Sequence, residues 1–306
     1  MNKSLKIVFM GTPEFAVPML DTLYHSSHQI VGVITAPDKP AGRGMQLSES
    51  DVKKYAVAQG LHLLQPEKLK NETFLDELRA LNADLFVVVA FRMLPVVVWD
   101  MPPLGTINLH ASLLPNYRGA APINWAVING EKETGVTTFK LQHEIDTGQI
   151  ILRDKVAIRD DETVGELYHE LMDIGKDVLL RTVDAIASGD YPLLPQDHIT
   201  DVKHAPKIFK ETCQIDWTRN AASIYNLIRG LSPYPAAWTI LQGKTLKVYT
   251  AEKIIESHTK PSGVVETDGK TYLRYSCADG YISVRDIQLE GKKRMKVDEF
   301  LRGYKA

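Results

Sequence analysis

Leu5–Thr35 reads LKIVFMGTPEFAVPMLDTLYHSSHQIVGVIT. Its first apolar run, Leu5–Met10, is closed by a Gly-Thr-Pro turn. Glu14–His25 follows, with Phe15, Pro18, Met19 and Leu23 near one helical face. Gln29–Thr35 (QIVGVIT) is a second strand-like run. Strand, helix and strand in so short a span make a βαβ unit. That unit predicts an open α/β sheet with right-handed crossovers. The turn itself, Gly11-Thr12-Pro13-Glu14-Phe15-Ala16, is not G-x-G-x-x-G, and Pro13 has no N–H to offer a phosphate. It reads as an ordinary βα turn. Such sheets bind ligands at the carboxyl ends of their strands, so the loops after Ala90 and Leu109 are the places to look.

Downstream the rhythm continues. Lys68–Leu81 reads as a helix. Asp84–Ala90 (DLFVVVA) is nearly all apolar, as a central strand covered on both faces should be. Thr106–Leu109 is a further short strand. Thr134–Leu141 and Gln149–Ile158 read as an antiparallel pair around a loop, and Thr163–Ala187 as one long helix. After Tyr191 the pattern changes. Leu193–Glu211 is polar and aperiodic, Asp216–Gly230 holds a short helix begun near Thr218, and five short alternating runs follow between Ala236 and Ile287. The expectation is a sheet domain over 1–191, a linker over 192–211 and a small β-barrel or sandwich over 212–306.

Of the 306 residues, 44% are apolar and 24% charged, which excludes a disordered or fibrous chain. No run approaches the ~18 apolar residues of a spanning helix, and the N-terminus lacks a secretory pattern. Two cysteines, Cys213 and Cys277, exclude a disulfide scaffold and a four-cysteine zinc site. The expectation is a cytoplasmic protein with reduced thiols and no membrane. The net charge of −2 hides an asymmetry. From Lys203 onward there are 18 Lys+Arg against 11 Asp+Glu, a balance of +7; the rest carries 18 against 27, a balance of −9. A basic end on an acidic body points to a polyanionic partner, or to no more than a solvated lysine-rich surface.

The densest polar stretch at a strand end is Asn108-Leu109-His110-Ala111-Ser112-Leu113-Leu114-Pro115. Asn108 and His110 are two apart, so an extended strand points both to one side. One supplies an amide donor, the other a base that titrates near neutrality. The pair suits a carbonyl that becomes an oxyanion while a nucleophile loses a proton; it equally suits strand-end residues satisfying a loop. Asp146, in Glu144-Ile145-Asp146-Thr147-Gly148-Gln149, could make an Asx turn, or could pack on His110 and fix its tautomer. Spacing alone does not decide whether they meet.

The segments NLHASLLPNYRGAAPINWAVINGE and TGVTTFKLQHEIDTGQI resemble the signature of the folate-dependent formyltransferases. The resemblance runs from Lys6 to near the C-terminus, through Leu231–Trp238 (LSPYPAAW). It implies a Rossmann-like catalytic domain with an open, mostly parallel sheet, followed by a small OB-like β-barrel that lies along a tRNA. It implies Asn108, His110 and Asp146 as the catalytic set. Val87, Val88, Val89, Ala90, Ser112, Leu113, Leu114 and Pro115 would wall the folate site. Phe91–Pro95 departs from the pattern, with Arg92 where many members carry a Tyr-Gly loop. PDKPAGRG, Pro37–Gly44, resembles the insertion with which some members touch tRNA, making Lys39 and Arg43 tRNA-binding candidates. By that resemblance the reaction moves formyl from 10-formyltetrahydrofolate, a co-substrate, to methionyl initiator tRNA. No metal is expected, and the chain is taken as a monomer. The alternatives are an amino-sugar-nucleotide formyltransferase, a formyl-folate hydrolase, or a tRNA-binding protein without activity.

Overall fold

The computed structural model describes residues 3–41, 46–196 and 201–303. It falls into two compact units. One gathers the chain up to Arg118, then Gly135–Val156 and His169–Lys203; the other gathers Gly119–Thr134, Ala157–Tyr168 and the chain from His204 on.

The first part of the chain runs β1 (Lys6–Gly11), α1 (Val17–Tyr24), β2 (Gln29–Ile34), a short hairpin of β3 (Lys39–Ala41) and β4 (Gln46–Ser48), α2 (Asp51–Ala58), β5 (Leu63–Leu64), α3 (Glu72–Ala80), β6 (Leu85–Val89), α4 (Val96–Trp99) and β7 (Thr106–His110). Next come β8 (Arg118–Gly119), α5 (Pro122–Ile128), β9 (Glu133–Lys140), β10 (Ile150–Ala157) and α6 (Val164–Ser188). The main sheet has the order β10-β9-β7-β6-β1-β2-β5. From β7 to β5 it is parallel, and β9 runs antiparallel to β7. The open, mostly parallel sheet read from the sequence is therefore present.

Helix starts follow their caps. The α3 helix begins after Asn71, whose Oδ1 accepts from the Phe74 N–H at 3.1 Å, four residues later than periodicity suggested. The α2 helix, which sequence periodicity missed, starts behind Ser50, whose Oγ accepts from the Lys53 N–H. In the sheet, Val8 and Met10 of β1 and Phe86 and Val88 of β6 share one core with Phe74, Leu75 and Leu78 of α3 and Val98 of α4. The alternating residues Ile7, Phe9, Leu85, Val87 and Val89 are also fully buried. A strand buried on both faces needs no polar alternation, which is why β6 is all apolar.

The second unit contains α5, β11 (His204–Ala205), α7 (Ala221–Gly230), β12 (Ala237–Leu241), β13 (Lys244–Ile255), β14 (Val265–Thr267), β15 (Leu273–Cys277), β16 (Gly280–Leu289), β17 (Met295–Lys296) and α8 (Val297–Leu301). The five expected runs form one antiparallel sheet, β12-β13-β16-β15-β14, with β17 added beside β16. Bulges near Val248–Ala251 interrupt the long β13–β16 pairing, the usual device for bending a strand. This is the half-barrel form of the OB-like expectation. The α7 helix begins after Asn220, whose Oδ1 takes the Ser223 N–H at 2.7 Å. Thr218, the start read from the sequence, is instead bonded to the Asp216 carboxylate. Among the described residues no helix is long and apolar enough to cross a membrane.

Asp286 is buried in β16, yet Arg294 grips both its oxygens, at 3.0 and 2.8 Å, and Lys296 lies 3.3 Å away. Burial alone would raise its pKa, but these cations outweigh it and hold the carboxyl below the ordinary range. A depressed carboxylate stabilises the fold above its unfolded value, about 3.9, and that contribution is lost as pH falls through the lower folded value. Asp286→Asn should therefore lower Tm at pH 7, and the gap to the parent should shrink towards pH 3. An equal gap at both pH values in thermal melts would refute this ion-pair account.

Candidate active site

The site is built at the carboxyl end of β7. Register places Met10, Val88, Asn108 and Phe139 in one row across four strands. Paired residues share a face, so Asn108 lies on the same face as Val88, and His110 follows two residues on, opposite Thr137 of β9. Leu109 points the other way, against the close approach that Gly175 allows in α6. Asn108 is half-buried, and among the described residues its carboxamide has no hydrogen-bond partner within the chain. An amide donor is thus left available beside the histidine.

His110 is buried, and its ring meets two groups. Nε2 lies 2.8 Å from the Tyr117 carbonyl oxygen. A carbonyl only accepts, so Nε2 carries the hydrogen and donates. The lone pair of the neutral ring is therefore on Nδ1, which faces Asp146 Oδ2 at 3.8 Å. Both side chains are about one-tenth exposed. The structure thus brings Asp146, which spacing could not join to His110, to the Asn108–His110 pair that the strand period already put on one side.

Three loops hold this arrangement. After β7, Ser112 donates from Oγ to the Asn116 carbonyl at 2.7 Å, and the Thr137 hydroxyl donates to the Ser112 carbonyl while accepting from the Leu114 N–H. Tyr117 sits in the left-handed region at φ 62°. Between β9 and β10, Asp146 is also left-handed at φ 55°. A Cβ on Gly148 would stand 1.6 Å from the Lys140 carbonyl oxygen, so only glycine lets this loop close on β9. Beyond α6, Gln196 donates to the carbonyls of Asp146 and Gly148 at 2.8 Å each.

Among the residues expected to wall a folate site, Val87, Val88, Val89, Ser112 and Leu114 are buried, Leu113 and Pro115 are half-buried and Ala90 is exposed at a left-handed turn. Leu114 packs with Phe139 and Ile150. Arg92 donates to the carbonyls of Pro66 and Glu67, and burial draws its pKa down. Its guanidinium is thus occupied by the loop after β5. Lys39 is exposed on β3, paired with Ser48. Arg43 lies outside the described residues. Sequence reasoning missed Tyr117, Thr137 and Gln196 as parts of the site. Their contributions are a carbonyl, a loop clasp and a long-range amide, and none leaves a motif. Among the described residues no group of three or more His, Cys, Asp or Glu could hold a metal ion.

Residues 5–183 match the formyl transferase family model, and 207–305 match the formyl transferase C-terminal domain. The chain belongs to the formyl transferase family. A relative in Bacteroides thetaiotaomicron named methionyl-tRNA formyltransferase is 54% identical over 99% of this chain and 97% of its own length. One in Phocaeicola vulgatus with the same name is 57% identical over 100% and 97%. Among solved structures, the sugar 3N-formyl transferase WlaRD, with dTDP and 5-N-formyl-THF, superposes with a TM-score of 0.68 at 21% identity, covering 95% of this chain and all of its own. HypX from Aquifex aeolicus in complex with tetrahydrofolic acid gives 0.66 at 18% identity, covering 98% and 48%. At these identities the two structures speak for the formyl transferase fold.

The close approach at Gly148 gives a test of the formyl transferase site. Gly148→Ala must push the 144–148 loop, and Asp146 with it, off the Lys140 backbone. A displacement near 1 Å costs about 10²-fold in rate. The expected result is a kcat for formyl transfer lower by roughly that factor, with circular dichroism unchanged. Wild-type turnover in the folded variant would show that the position of Asp146 is immaterial.

Proposed function

We propose that this chain transfers the formyl group of 10-formyltetrahydrofolate to the α-amine of methionine esterified to initiator tRNA, supplying translation initiation. The chemistry rests on one observation: a His110 ring with its free lone pair on Nδ1, facing Asp146, beside an available Asn108 amide. The acceptor rests on the shared name of full-length relatives at more than half identity.

The neutral amine attacks the formyl carbon, forming the new C–N bond and moving the carbonyl pair onto oxygen. Asn108 donates to that oxyanion, and the amine proton passes to His110 Nδ1, directly or through water. Asp146 faces the imidazolium so formed. Collapse restores the carbonyl, breaks the bond to folate N10 and returns the proton to N10. Tetrahydrofolate leaves without its formyl group, and no covalent enzyme intermediate is needed.

The folate lies against Val87–Ala90 and Ser112–Pro115. Ala90, Leu113 and Pro115 have side-chain surface to give; Val87, Val88, Val89, Ser112 and Leu114 shape the backbone. Lys39 and Arg43 reach the acceptor end of the tRNA from the insertion between β2 and α2. The working division keeps the chemistry in 1–191 and gives 212–306, with its positive balance, to tRNA phosphates. The protein acts as a cytoplasmic monomer.

Asn108→Ala and His110→Ala should each lower kcat by roughly 10²–10³, and Asp146→Asn by a similar factor, with tRNA affinity unchanged. The assay is formyl transfer from 10-formyltetrahydrofolate to charged initiator tRNA, with free methionine, an amino-sugar nucleotide and water as competing acceptors. Near-normal turnover of His110→Ala, or preference for another acceptor, contradicts the proposal. Separately, Arg43→Leu should weaken formylation of charged tRNA while leaving folate binding intact. If that variant formylates tRNA as the parent does, the loop is a solvated connector.

A further inference from the structure

Both groups that flank the His110 ring come from loops, and a single side chain ties those loops together. Gln196 uses its whole carboxamide. Its Nε2 donates to the carbonyls of Asp146 and Gly148, each at 2.8 Å. Its Oε1 accepts from Arg118 Nε at 3.1 Å and from an Arg118 terminal nitrogen at 2.6 Å. Arg118 directly follows Tyr117, whose carbonyl holds His110 Nε2–H. One end of the amide therefore holds the Asp146 loop and the other the Tyr117–Arg118 loop. Its own place is set two residues earlier, where Leu194 exchanges backbone hydrogen bonds with Ile150 at 2.8 and 2.9 Å. A second anchor follows at Lys203, whose N–H donates to Asn116 Oδ1 and whose carbonyl accepts from the Tyr117 N–H.

We propose that Gln196 is a positioning residue: it fixes the Tyr117 carbonyl and Asp146 on opposite edges of His110 and so keeps the ring in the tautomer whose lone pair faces Asp146. The reasoning is one of satisfied groups. Asp146 and Tyr117 both hold left-handed backbone without being glycine, at φ 55° and 62°. Such conformations persist where surrounding bonds over-determine them. Gln196 supplies two such bonds to the 146–148 turn and, through Arg118, an anchor beside Tyr117. A side chain of the same length without the amide removes the bonds to the two carbonyls and to the Arg118 guanidinium, and the two loops lose this tie. The ring then loses its fixed acceptor at Nε2, and both neutral tautomers become populated. Gln196 touches no reacting atom, and its effect on rate runs entirely through His110. That effect rests on the formyl-transfer reading of the site; the tautomer does not.

The test uses the full chain carrying Gln196→Met and, separately, Gln196→Glu. The second keeps an acceptor for Arg118 but has no donor for the two carbonyls. Folding is checked by thermal melts. In ligand-free protein labelled with ¹⁵N-histidine, the neutral His110 ring should report protonation at Nε2 in the parent and a mixture of tautomers in both variants. Formylation of charged initiator tRNA should show kcat lower by ~10-fold with the folate KM unchanged, as expected for a sub-ångström loss of alignment. A folded Gln196→Met protein with the parent's His110 spectrum or the parent's kcat overturns the proposal. If the parent itself transfers no formyl to tRNA, the acceptor reading fails, while the spectra still decide the role of Gln196.

Discussion

The hydrogen bond from His110 Nε2 to the Tyr117 carbonyl, at 2.8 Å, constrains everything else at the site. It commits one ring nitrogen to a group that can never give a proton back. The remaining nitrogen must then do whatever proton transfer the ring does. That nitrogen faces a carboxylate 3.8 Å away, too far for a hydrogen bond and close enough to act on a charged ring. Asp146 is thereby suited to support the imidazolium after it forms. It is the backbone carbonyl of Tyr117, and not the carboxylate, that sets the tautomer.

A carbonyl can serve in this way only if the chain turns back on itself, and the fold supplies that reversal at a cost. Tyr117 and Asp146 occupy left-handed backbone, as does Ala90 at the end of β6. Each such residue costs on the order of 1–3 kcal/mol, less for an aspartate, whose short side chain tolerates the region. The offsetting contacts are specific: the Lys203 carbonyl on the Tyr117 N–H, and the Gln196 amide on the Asp146 carbonyl. The antiparallel placement of β9 contributes as well. It sets Thr137 opposite His110, where one hydroxyl clasps both Ser112 and Leu114. The return of the chain from β9 to β10 brings Gly148 close against Lys140.

This division explains which parts were legible in the chain. The strands and long helices announced themselves by apolar runs and by periodicity. Asn108 and His110 were legible because the period of a strand alone puts them on one side. Asp146 was visible as a residue, but its meeting with His110 depends on the order β9-β7 in the sheet, which no local spacing encodes. Tyr117 and Gln196 were not legible at all. The first acts through its backbone, and any residue has a carbonyl. The second lies in a polar, aperiodic stretch whose composition reads as linker. The grouping of α5 with the C-terminal half was hidden for a related reason: it depends on long-range packing, as in the Asn124 amide that donates to the Gly230 carbonyl.

The same bonding pattern separates direct transfer from covalent catalysis. A covalent route needs a nucleophile on the protein that is activated and reachable. Ser112 is the hydroxyl nearest in sequence to His110, but it is fully buried and its proton is given to the Asn116 carbonyl. That bond holds the loop in shape and leaves the hydroxyl without a base. The thiols of Cys213 and Cys277 are buried, and burial pushes both pKa values up, away from the thiolate that would attack. What the site offers is a proton acceptor, an amide donor and a carboxylate. In the proposed reaction those groups serve an incoming amine that brings its own lone pair, so the nucleophile belongs to the substrate and the part proposed for the protein is alignment, charge and the proton.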